Sequence, residues 1–213
     1  MNPLRLEAVS LALPSRALIP ALDLTVAPGE CVTLMGPSGS GKSTLLAFIA
    51  GTLDPSFAAA GRVFIGDVDI TRLAPERRRV GILFQDDLLF PHLSVGGNLG
   101  FALAARVRDR NERRARIGQA LAEADLQGFA DRDVATLSGG QRARVALLRT
   151  LLSAPKALLL DEPFNKLDAQ LRNDFRRFVF EHAAERGLPT LLVTHDEADA
   201  PAGGRVLRLS DFG

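Results

Sequence analysis

The chain has 213 residues, enough for one large domain with a buried core, and its 26 Lys and Arg against 25 Asp and Glu give a net charge of +1. This balance gives no reason to expect nucleic acid as a partner, and we predict none. A single cysteine, Cys31, excludes an internal disulfide and lies in an apolar run that favours a buried, inert thiol. The sequence contains no stretch of about 20 apolar residues, so no transmembrane helix is predicted.

Short apolar runs alternate with helical stretches, which predicts an α/β domain with a mainly parallel sheet. Residues 4–9 and 22–27 alternate apolar and polar side chains, as half-exposed antiparallel strands do. Nearly all-apolar runs predict central parallel strands at residues 32–35, 80–84, 157–160 and 190–193. The three alanines at 58–60 are predicted to form a short loop.

A helical insert is predicted between residues 94 and 133, where strand-like runs stop and two helical segments occur at about 95–106 and 112–124. Six arginines lie between residues 106 and 116, with Asp109 and Glu112 among them. We interpret this stretch as a solvated corner rather than a nucleic-acid patch, because it has no aromatic side chains to stack on bases.

Residues 36–44 fit the pattern GxxxxGK[ST] between a predicted strand and a predicted helix. We expect this loop to bind the phosphates of ATP through its backbone N–H groups. Lys42 should contact the β- and γ-phosphates, and the Ser43 hydroxyl should bind Mg²⁺. An empty glycine-rich turn is the alternative, and the flanking strand and helix argue against it. The residues concerned are Gly36, Pro37, Ser38, Gly39, Ser40, Gly41, Lys42, Ser43 and Thr44.

Two acids, Asp161 and Glu162, end the apolar run that begins at residue 157, at the sheet edge where open α/β folds bind ligands. Asp161 is predicted to hold Mg²⁺ through water, and Glu162 to act as the general base on the water that attacks the γ-phosphate. Such a pair alone usually marks a solvated turn. Together with the phosphate loop it indicates nucleotide hydrolysis.

Residues 137–141, Leu-Ser-Gly-Gly-Gln, precede a helix that is predicted to run to about residue 153. This is a second glycine-rich helix N-terminus suited to an anion, with a hydroxyl donor in Ser138. Taken by itself, the segment is better explained as an ordinary helix cap.

Together these segments resemble the ATP-binding cassette (ABC) ATPases, whose LSGGQ signature lies between the phosphate loop and the Asp-Glu strand, as it does here. Gln85 matches the Q-loop glutamine of that family, Asp168 its D-loop aspartate and His195 its switch histidine. The catalytic residues implied by the resemblance are Glu162, His195 and Gln85. The Mg²⁺ contacts that it implies are Ser43, Gln85 and Asp161.

The resemblance implies a P-loop NTPase (RecA-like) core with a mainly parallel sheet, an antiparallel β edge and a helical insert. One cassette domain is expected over residues 1–213. Its core would be formed by about 1–88 and 155–213, and its helical subdomain by about 89–154.

The resemblance also implies a head-to-tail homodimer on ATP binding, with each ATP between one chain's phosphate loop and the other chain's signature helix. The signature residues concerned are Ser138, Gly139, Gly140 and Gln141. Residues 85–95 resemble the ATPases of sulfate, thiamine, iron and polyamine importers. Expected partners are therefore membrane permease subunits and a periplasmic binding protein, at the cytoplasmic face of the inner membrane. His92 is a candidate permease contact or, equally, a loop cap.

Three other functions stay open: a soluble cassette that acts on ribosomes or DNA, the ATPase of an exporter, and an ordinary P-loop kinase or GTPase. The chain lacks the paired cassettes, coiled-coil insertions and basic extensions typical of the first. The signature and the switch histidine argue against the last.

Some features depart from the family pattern. Cassettes usually stack an early Tyr, Phe or Trp on adenine, but this chain has no Tyr or Trp, and the corresponding position falls near Leu13 or Pro14. The missing contact is worth roughly 0.5–1.5 kcal/mol. The D-loop reads Asn165-Lys166-Leu167-Asp168, and two Lys166 side chains facing each other across a dimer axis would repel. The sequence ends 18 residues after His195, so no regulatory domain is expected. His182, on a charged helix, is expected to be exposed.

Overall fold

The computed structural model describes residues 2–212, and for Asp211 and Phe212 it describes the backbone alone. Its strands are β1 Leu4–Leu13, β2 Arg16–Val26, β3 Cys31–Met35, β4 Ala58–Ile65, β5 Val68–Asp69, β6 Val80–Leu83, β7 Ala157–Asp161, β8 Thr190–Thr194 and β9 Arg205–Arg208. Its α-helices are α1 Lys42–Ala50, α2 Pro75–Arg78, α3 Val95–Leu103, α4 Arg110–Glu123, α5 Gly139–Leu152 and α6 Ala169–Glu185. Short 3-10 turns lie at Val134–Thr136, Glu197–Asp199 and Leu209–Phe212.

The chain divides into two compact units. Of the described residues, the core unit holds those up to Ile82, those from Lys156 to Glu162 and those from Phe180 onward. The helical unit holds residues from Leu83 to Pro155 and from Pro163 to Val179. Along residues 2–212, no helix combines the length and the apolar character that crossing a bilayer requires.

An antiparallel sheet in the core unit has the strand order β2-β1-β4-β5. Alternate residues of β1 and β2 are buried, as the alternating pattern predicts. The prediction of a loop at residues 58–60 is wrong, because the three alanines begin β4 and pair with residues 10–12 of β1. Alanine has little strand propensity of its own, so it is the hydrogen bonding to β1 that makes this segment a strand.

A second sheet has the order β6-β7-β8-β3-β9, in which β3 runs parallel to β8 and β9, and β7 runs parallel to β8. The four nearly all-apolar runs account for its strands β3, β6, β7 and β8, since strands covered on both faces are mostly apolar; Phe84, predicted at the end of one run, lies outside β6. The carboxyl ends of β7, β8 and β3 therefore lie side by side at one edge. The chain following each of these ends carries the residues predicted to act on nucleotide.

The helical unit contains α3, α4 and α5, each begun by a side-chain cap. Ser94 accepts from the backbone N–H of Gly97, and Asp109 from that of Glu112, which starts α4 at Arg110 instead of near residue 112. Helix α3 ends at Leu103 rather than near residue 106. The N–H groups of Arg106 and Val107 both donate to the carbonyl oxygen of Leu103 in the turn that follows.

His182 is buried, with 9% of its surface exposed, so the expectation of an exposed residue is wrong. It lies in the part of α6 that belongs to the core unit, beside the buried Ala183. The charged residues around it in sequence lie on the solvent-facing side of the helix. The local composition therefore predicts an exposed residue, although the histidine faces inward.

Candidate functional site

The phosphate loop connects β3 to α1 and adopts a backbone conformation that its glycines make possible. Gly41, the residue before α1, has φ of +95°, a conformation that residues with a Cβ rarely adopt. A Cβ added at Gly36 would lie 2.8 Å from the Ser40 hydroxyl oxygen. The loop is thus tightly folded, and α1 begins directly behind it, with the positive end of its dipole at the loop.

Lys42 lies across this loop rather than pointing into solvent. Its Nζ donates to the carbonyl oxygens of Gly36 at 2.6 Å and Pro37 at 2.9 Å, and only 5% of the residue is exposed. The same Nζ lies 3.9 Å from Oε1 of Glu162. A buried ammonium needs such oxygen partners, and their position fixes its charge beside the loop.

Ser43 and Asp161 form the second polar contact of the site, because the Ser43 hydroxyl donates to Oδ1 of Asp161 at 2.8 Å. Burial raises the pKa of Asp161 and the neighbouring Glu162 raises it further, while the Ser43 hydrogen bond and the charge of Lys42 oppose these effects. The carboxyl groups of Asp161 and Glu162 thus concentrate negative charge beside the Ser43 hydroxyl. One hydroxyl and one carboxylate, completed by phosphate oxygens and water, form a donor set that fits Mg²⁺.

Glu162 is held in a strained backbone conformation at the end of β7. Its φ is +46°, unusual for a residue with a side chain, and its N–H donates to the carbonyl of Val193 at 3.0 Å. Oε2 lies 3.1 Å from Nδ1 of His195. Strain of this kind is characteristic of functional sites, and here it aims a carboxylate between an ammonium and an imidazole.

His195 follows β8 on a loop that a buried polar pair fixes in place. The hydroxyl of Thr194 donates to Oδ2 of Asp199 at 2.8 Å and accepts from the N–H of Asp196 at 3.1 Å. Thr194 and Asp199 are both fully buried. Sequence reasoning missed this pair, because only the folded loop brings the two side chains together.

Five of the predicted residues thus meet at the sheet edge of the core unit: Lys42, Ser43, Asp161, Glu162 and His195. The remaining residues of the phosphate loop belong to the same unit, whereas the predicted Q-loop and signature residues lie in the helical unit. They are Gln85, Ser138, Gly139, Gly140 and Gln141.

The signature segment begins α5 with a reciprocal cap. The Ser138 hydroxyl accepts from the N–H of Gln141 at 3.3 Å, and the Gln141 side-chain oxygen accepts from the N–H of Ser138 at 3.0 Å. Because the serine oxygen is an acceptor in this cap, its O–H proton stays available to a further acceptor. The cap accounts for the segment in purely structural terms, as the start of α5. It also leaves the Ser138 hydroxyl proton as a hydrogen-bond donor at the helix N-terminus.

Gln85 is exposed and lines a cavity of about 160 Å³ within the helical unit, together with Arg142, Lys166 and Leu167. The residues that follow it are tied down by ion pairs. Asp86 pairs with Lys166 of the D-loop, and Asp87 pairs with Arg142 of α5 at 2.9 Å. The Lys166 charge that we expected to repel its counterpart is therefore neutralised within its own chain.

The D-loop ends at Asp168, whose side chain accepts from the N–H of Leu171 at 3.1 Å and so caps α6. Arg149 fixes the other end of the Q-loop, donating to the carbonyls of Leu88 at 2.8 Å and Asp87 at 3.2 Å. The role of Arg149 was not identifiable from the sequence pattern, since it depends on a contact between segments about 60 residues apart.

Asn98 organises the loop at residues 90–94. It is fully buried, its side-chain oxygen accepts from the N–H of Phe90 at 2.8 Å, and its amide donates to the carbonyls of Phe90, Leu93 and Ser94 at 3.1 to 3.3 Å. The ring of Phe90 meets that of Phe101 edge to face, with centroids 4.8 Å apart. Phe101 is nevertheless 62% exposed.

Comparison with known proteins identifies the family. The ABC transporter family profile matches residues 19–165. The chain is 48% identical over 204 residues to the uncharacterized ABC transporter ATP-binding protein YnjD of Escherichia coli K12, covering 96% of this chain and 94% of YnjD.

Other relatives are longer. The Fe(3+) ions import ATP-binding protein FbpC 1 of Haemophilus influenzae is 43% identical, with 92% of this chain matched to 58% of that protein. The sulfate/thiosulfate import ATP-binding protein CysA of Xanthomonas campestris is 48% identical, with 84% of this chain matched to 52% of that protein. The chain thus spans somewhat more than half the length of these two relatives.

A solved structure supports the same assignment. CbiO1 of Clostridium perfringens, part of the ABC transporter complex CbiONQ, matches with a TM-score of 0.83 and 29% identity, over 96% of this chain and 83% of that one. These comparisons confirm the predicted family and the predicted α/β P-loop fold. The chain belongs to the ABC transporter family, as one of its ATP-binding ATPase subunits.

Proposed function

We propose that this ATPase powers import through a separate membrane permease at the cytoplasmic face of the inner membrane, with a periplasmic binding protein delivering the substrate. Two observations support import over export or a soluble role. The FbpC and CysA relatives are import ATP-binding proteins by name, and they match more than four fifths of this chain. The substrate class is then an ion or small solute.

One observation carries the proposed chemistry: Lys42, Ser43, Asp161, Glu162 and His195 meet at a single sheet edge. The loop N–H groups and Lys42 bind the β- and γ-phosphates. Ser43 and Asp161 would hold Mg²⁺, and the ion would supply charge neutralisation to the triphosphate.

Glu162 is the general base for hydrolysis. It takes a proton from water as the water oxygen attacks the γ-phosphorus, the bond from that phosphorus to the bridging oxygen breaks, and ADP and phosphate form. His195, held 3.1 Å from Glu162, orients the γ-phosphate and the attacking water. Lys42 offsets the charge that builds on the transferred group.

We place the signature of a second copy opposite this site. The family resemblance suggests a homodimer in which Ser138, Gly139 and Gly140 bind the γ-phosphate held by the partner's loop. Support comes from the cap of α5, which leaves the Ser138 hydroxyl proton and a helix N-terminus available to an anion. Gln85 would then sense the bound Mg²⁺ and γ-phosphate as part of the Q-loop.

Permease contact is proposed at the exposed apolar side chains of the helical unit. Leu88 is 55% exposed and Phe101 is 62% exposed, although both are large hydrophobic residues. His92 lies on the same loop, with its ring centroid 6.0 Å from that of Phe90. The hydrogen bonds of Asn98 and Arg149 pre-order this surface, which lowers the entropy cost of docking a partner.

Uptake measurements test the proposal. A strain that lacks the gene should lose ATP-dependent uptake of one ion or small solute among iron, sulfate, thiamine and polyamines. The wild-type chain should restore that uptake, whereas Lys42→Ala and Phe101→Ser should not. Of these two variants, Phe101→Ser should keep the basal ATPase rate of the purified chain, because Phe101 belongs to the helical unit and is not one of the residues predicted to bind or hydrolyse nucleotide. Loss of efflux instead of uptake would overturn import, and an absent ATPase activity in the purified wild type would overturn the whole proposal.

A further inference from the structure

The turn between β1 and β2 brings an arginine against the phosphate loop. Nη2 of Arg16 donates to the carbonyl oxygen of Gly39 at 2.6 Å. Two residues further along β2, Leu18 packs on the same loop, since a Cβ added at Gly41 would lie 3.1 Å from its Cβ. Ile19 lies beside the same glycine, with its Cγ1 3.3 Å from that added Cβ, so the first residues of β2 border the phosphate loop from Gly39 to Gly41.

The two acids contact other residues of the loop than those that β2 contacts. Asp161 contacts Ser43, and Glu162 lies beside the Lys42 ammonium, so these groups mark the position of the terminal phosphate. A nucleoside triphosphate is a linear chain, and its sugar and base must leave the loop away from its terminal phosphate. Gly39 and Gly41, which β2 contacts, belong to the part of the loop that the acids do not touch, so the base is expected beside β2.

The turn between β1 and β2 carries no aromatic residue that could contact a base. It contains no Tyr and no Trp, and its first Phe is Phe48, inside α1. The turn itself carries Leu13, which is half-buried, and Pro14, which is exposed. Arg16 is exposed and has a planar guanidinium, the side-chain group that most readily stacks on a π face while keeping hydrogen bonds in its own plane.

We infer that Arg16 is the base contact of this ATPase: its guanidinium stacks on the adenine while Nη2 stays bonded to the phosphate loop. The inference rests on the proposed function, because it requires nucleotide at this loop. Stacking does not read the polar edge of a base, so the contact should serve ATP and GTP about equally. Arg16 would thereby replace the aromatic residue that cassettes usually place in this turn.

Equilibrium binding of two ligands separates a base contact from a phosphate contact. We would measure the Kd of ATP and of inorganic triphosphate, both with Mg²⁺, for the wild type, Arg16→Ala and Arg16→Lys. Arg16→Ala should weaken ATP roughly 3- to 30-fold and leave triphosphate within about twofold. Arg16→Lys should behave almost like alanine, because an ammonium lacks the planar face.

Two further variants act as controls. Arg62→Ala removes another exposed charge from the same antiparallel sheet, at an ion pair with Glu7 rather than at the loop, and should leave both Kd values unchanged. Adding Leu13→Tyr to Arg16→Ala should restore ATP affinity by supplying a ring. Thermal unfolding of each variant confirms that the fold is retained.

The outcomes are distinct. Equal weakening of ATP and triphosphate by Arg16→Ala would show a phosphate contact, and unchanged ATP binding would show no contact at all; either result overturns the inference alone. A wild-type chain that binds neither ligand would overturn the proposed function, and the inference with it.

Discussion

Glu162 and His195 face each other at the sheet edge, with Oε2 of the acid 3.1 Å from Nδ1 of the imidazole. The acid lies at the end of β7 and the histidine follows β8, two strands paired in parallel register, so the sheet itself sets their spacing. Oε1 of the same carboxylate lies 3.9 Å from the Lys42 ammonium. One carboxylate thus links the histidine to the lysine of the phosphate loop.

Glu162→Gln tests the assignment of the base. The amide keeps the shape of the side chain but accepts no proton, so ATP turnover should fall by about 10² to 10⁴-fold while ATP binding is retained. Phosphate release and equilibrium ATP binding measure the two effects, and light scattering should show an ATP-bound dimer. Glu197→Gln alters an exposed acid on the loop after His195 and should leave turnover unchanged. Undiminished hydrolysis by Glu162→Gln would refute the assignment.

Asp161→Asn tests the cation site. Burial raises the pKa of Asp161, which means that its ionised form destabilises the nucleotide-free fold at neutral pH. Asparagine removes that charge and still offers an oxygen to the Ser43 hydroxyl, so the Tm without nucleotide should rise. The extra stabilisation that Mg²⁺ adds to ATP should disappear, because the carboxylate that would hold the ion through water is gone. Thermal unfolding with ATP, with and without Mg²⁺, measures both; an undiminished effect of Mg²⁺ would contradict the site.

The ion pair of Asp86 and Lys166 provides a third prediction. Both side chains are more than half exposed, so the pair should contribute only about 0.2–1 kcal/mol to the free energy of unfolding. Asp86→Lys should place like charges together, and adding Lys166→Asp should recover most of the loss. A double-mutant cycle in urea measures this coupling. Strictly additive effects of the two substitutions would show that the pair does not form.

Cys31 should be almost unreactive in the native protein. Burial, reinforced by the charge of Glu30, raises the pKa of its thiol to about 12 from an ordinary 9.0. Only the thiolate attacks disulfide reagents, so at pH 8 labelling should be about a thousandfold slower in the folded protein than in denaturant. Stopped-flow absorbance with an aromatic disulfide measures both rates. Similar rates in the two states would contradict the raised pKa of this thiol.

The core unit could be predicted well from the sequence, because its chemistry is encoded locally. The phosphate loop, the strand ending in Asp161 and Glu162, and the four apolar runs each carry their signal within about ten residues. The same holds for the cap at Ser138, where two residues three apart bond to each other.

The rest depends on contacts between distant segments. Strand β4 begins with three alanines whose own propensity predicts no strand, and only pairing with β1 orders them. Asn98 and Arg149 look like ordinary polar helix residues until the loop that they hold is in place. Arg16 contacts Gly39, which lies 23 positions further along the sequence, and no local sequence pattern predicts this contact.

The most direct test of the account is whether two incomplete chains make one active site. Lys42→Ala destroys the phosphate loop of one copy, and Ser138→Arg destroys the signature of the other. Each variant alone should be inactive, whereas an equal mixture should recover about a quarter of the wild-type rate, since random pairing makes half of the dimers mixed and each mixed dimer has one intact site of two. A mixture that stays as inactive as its components would contradict the composite site.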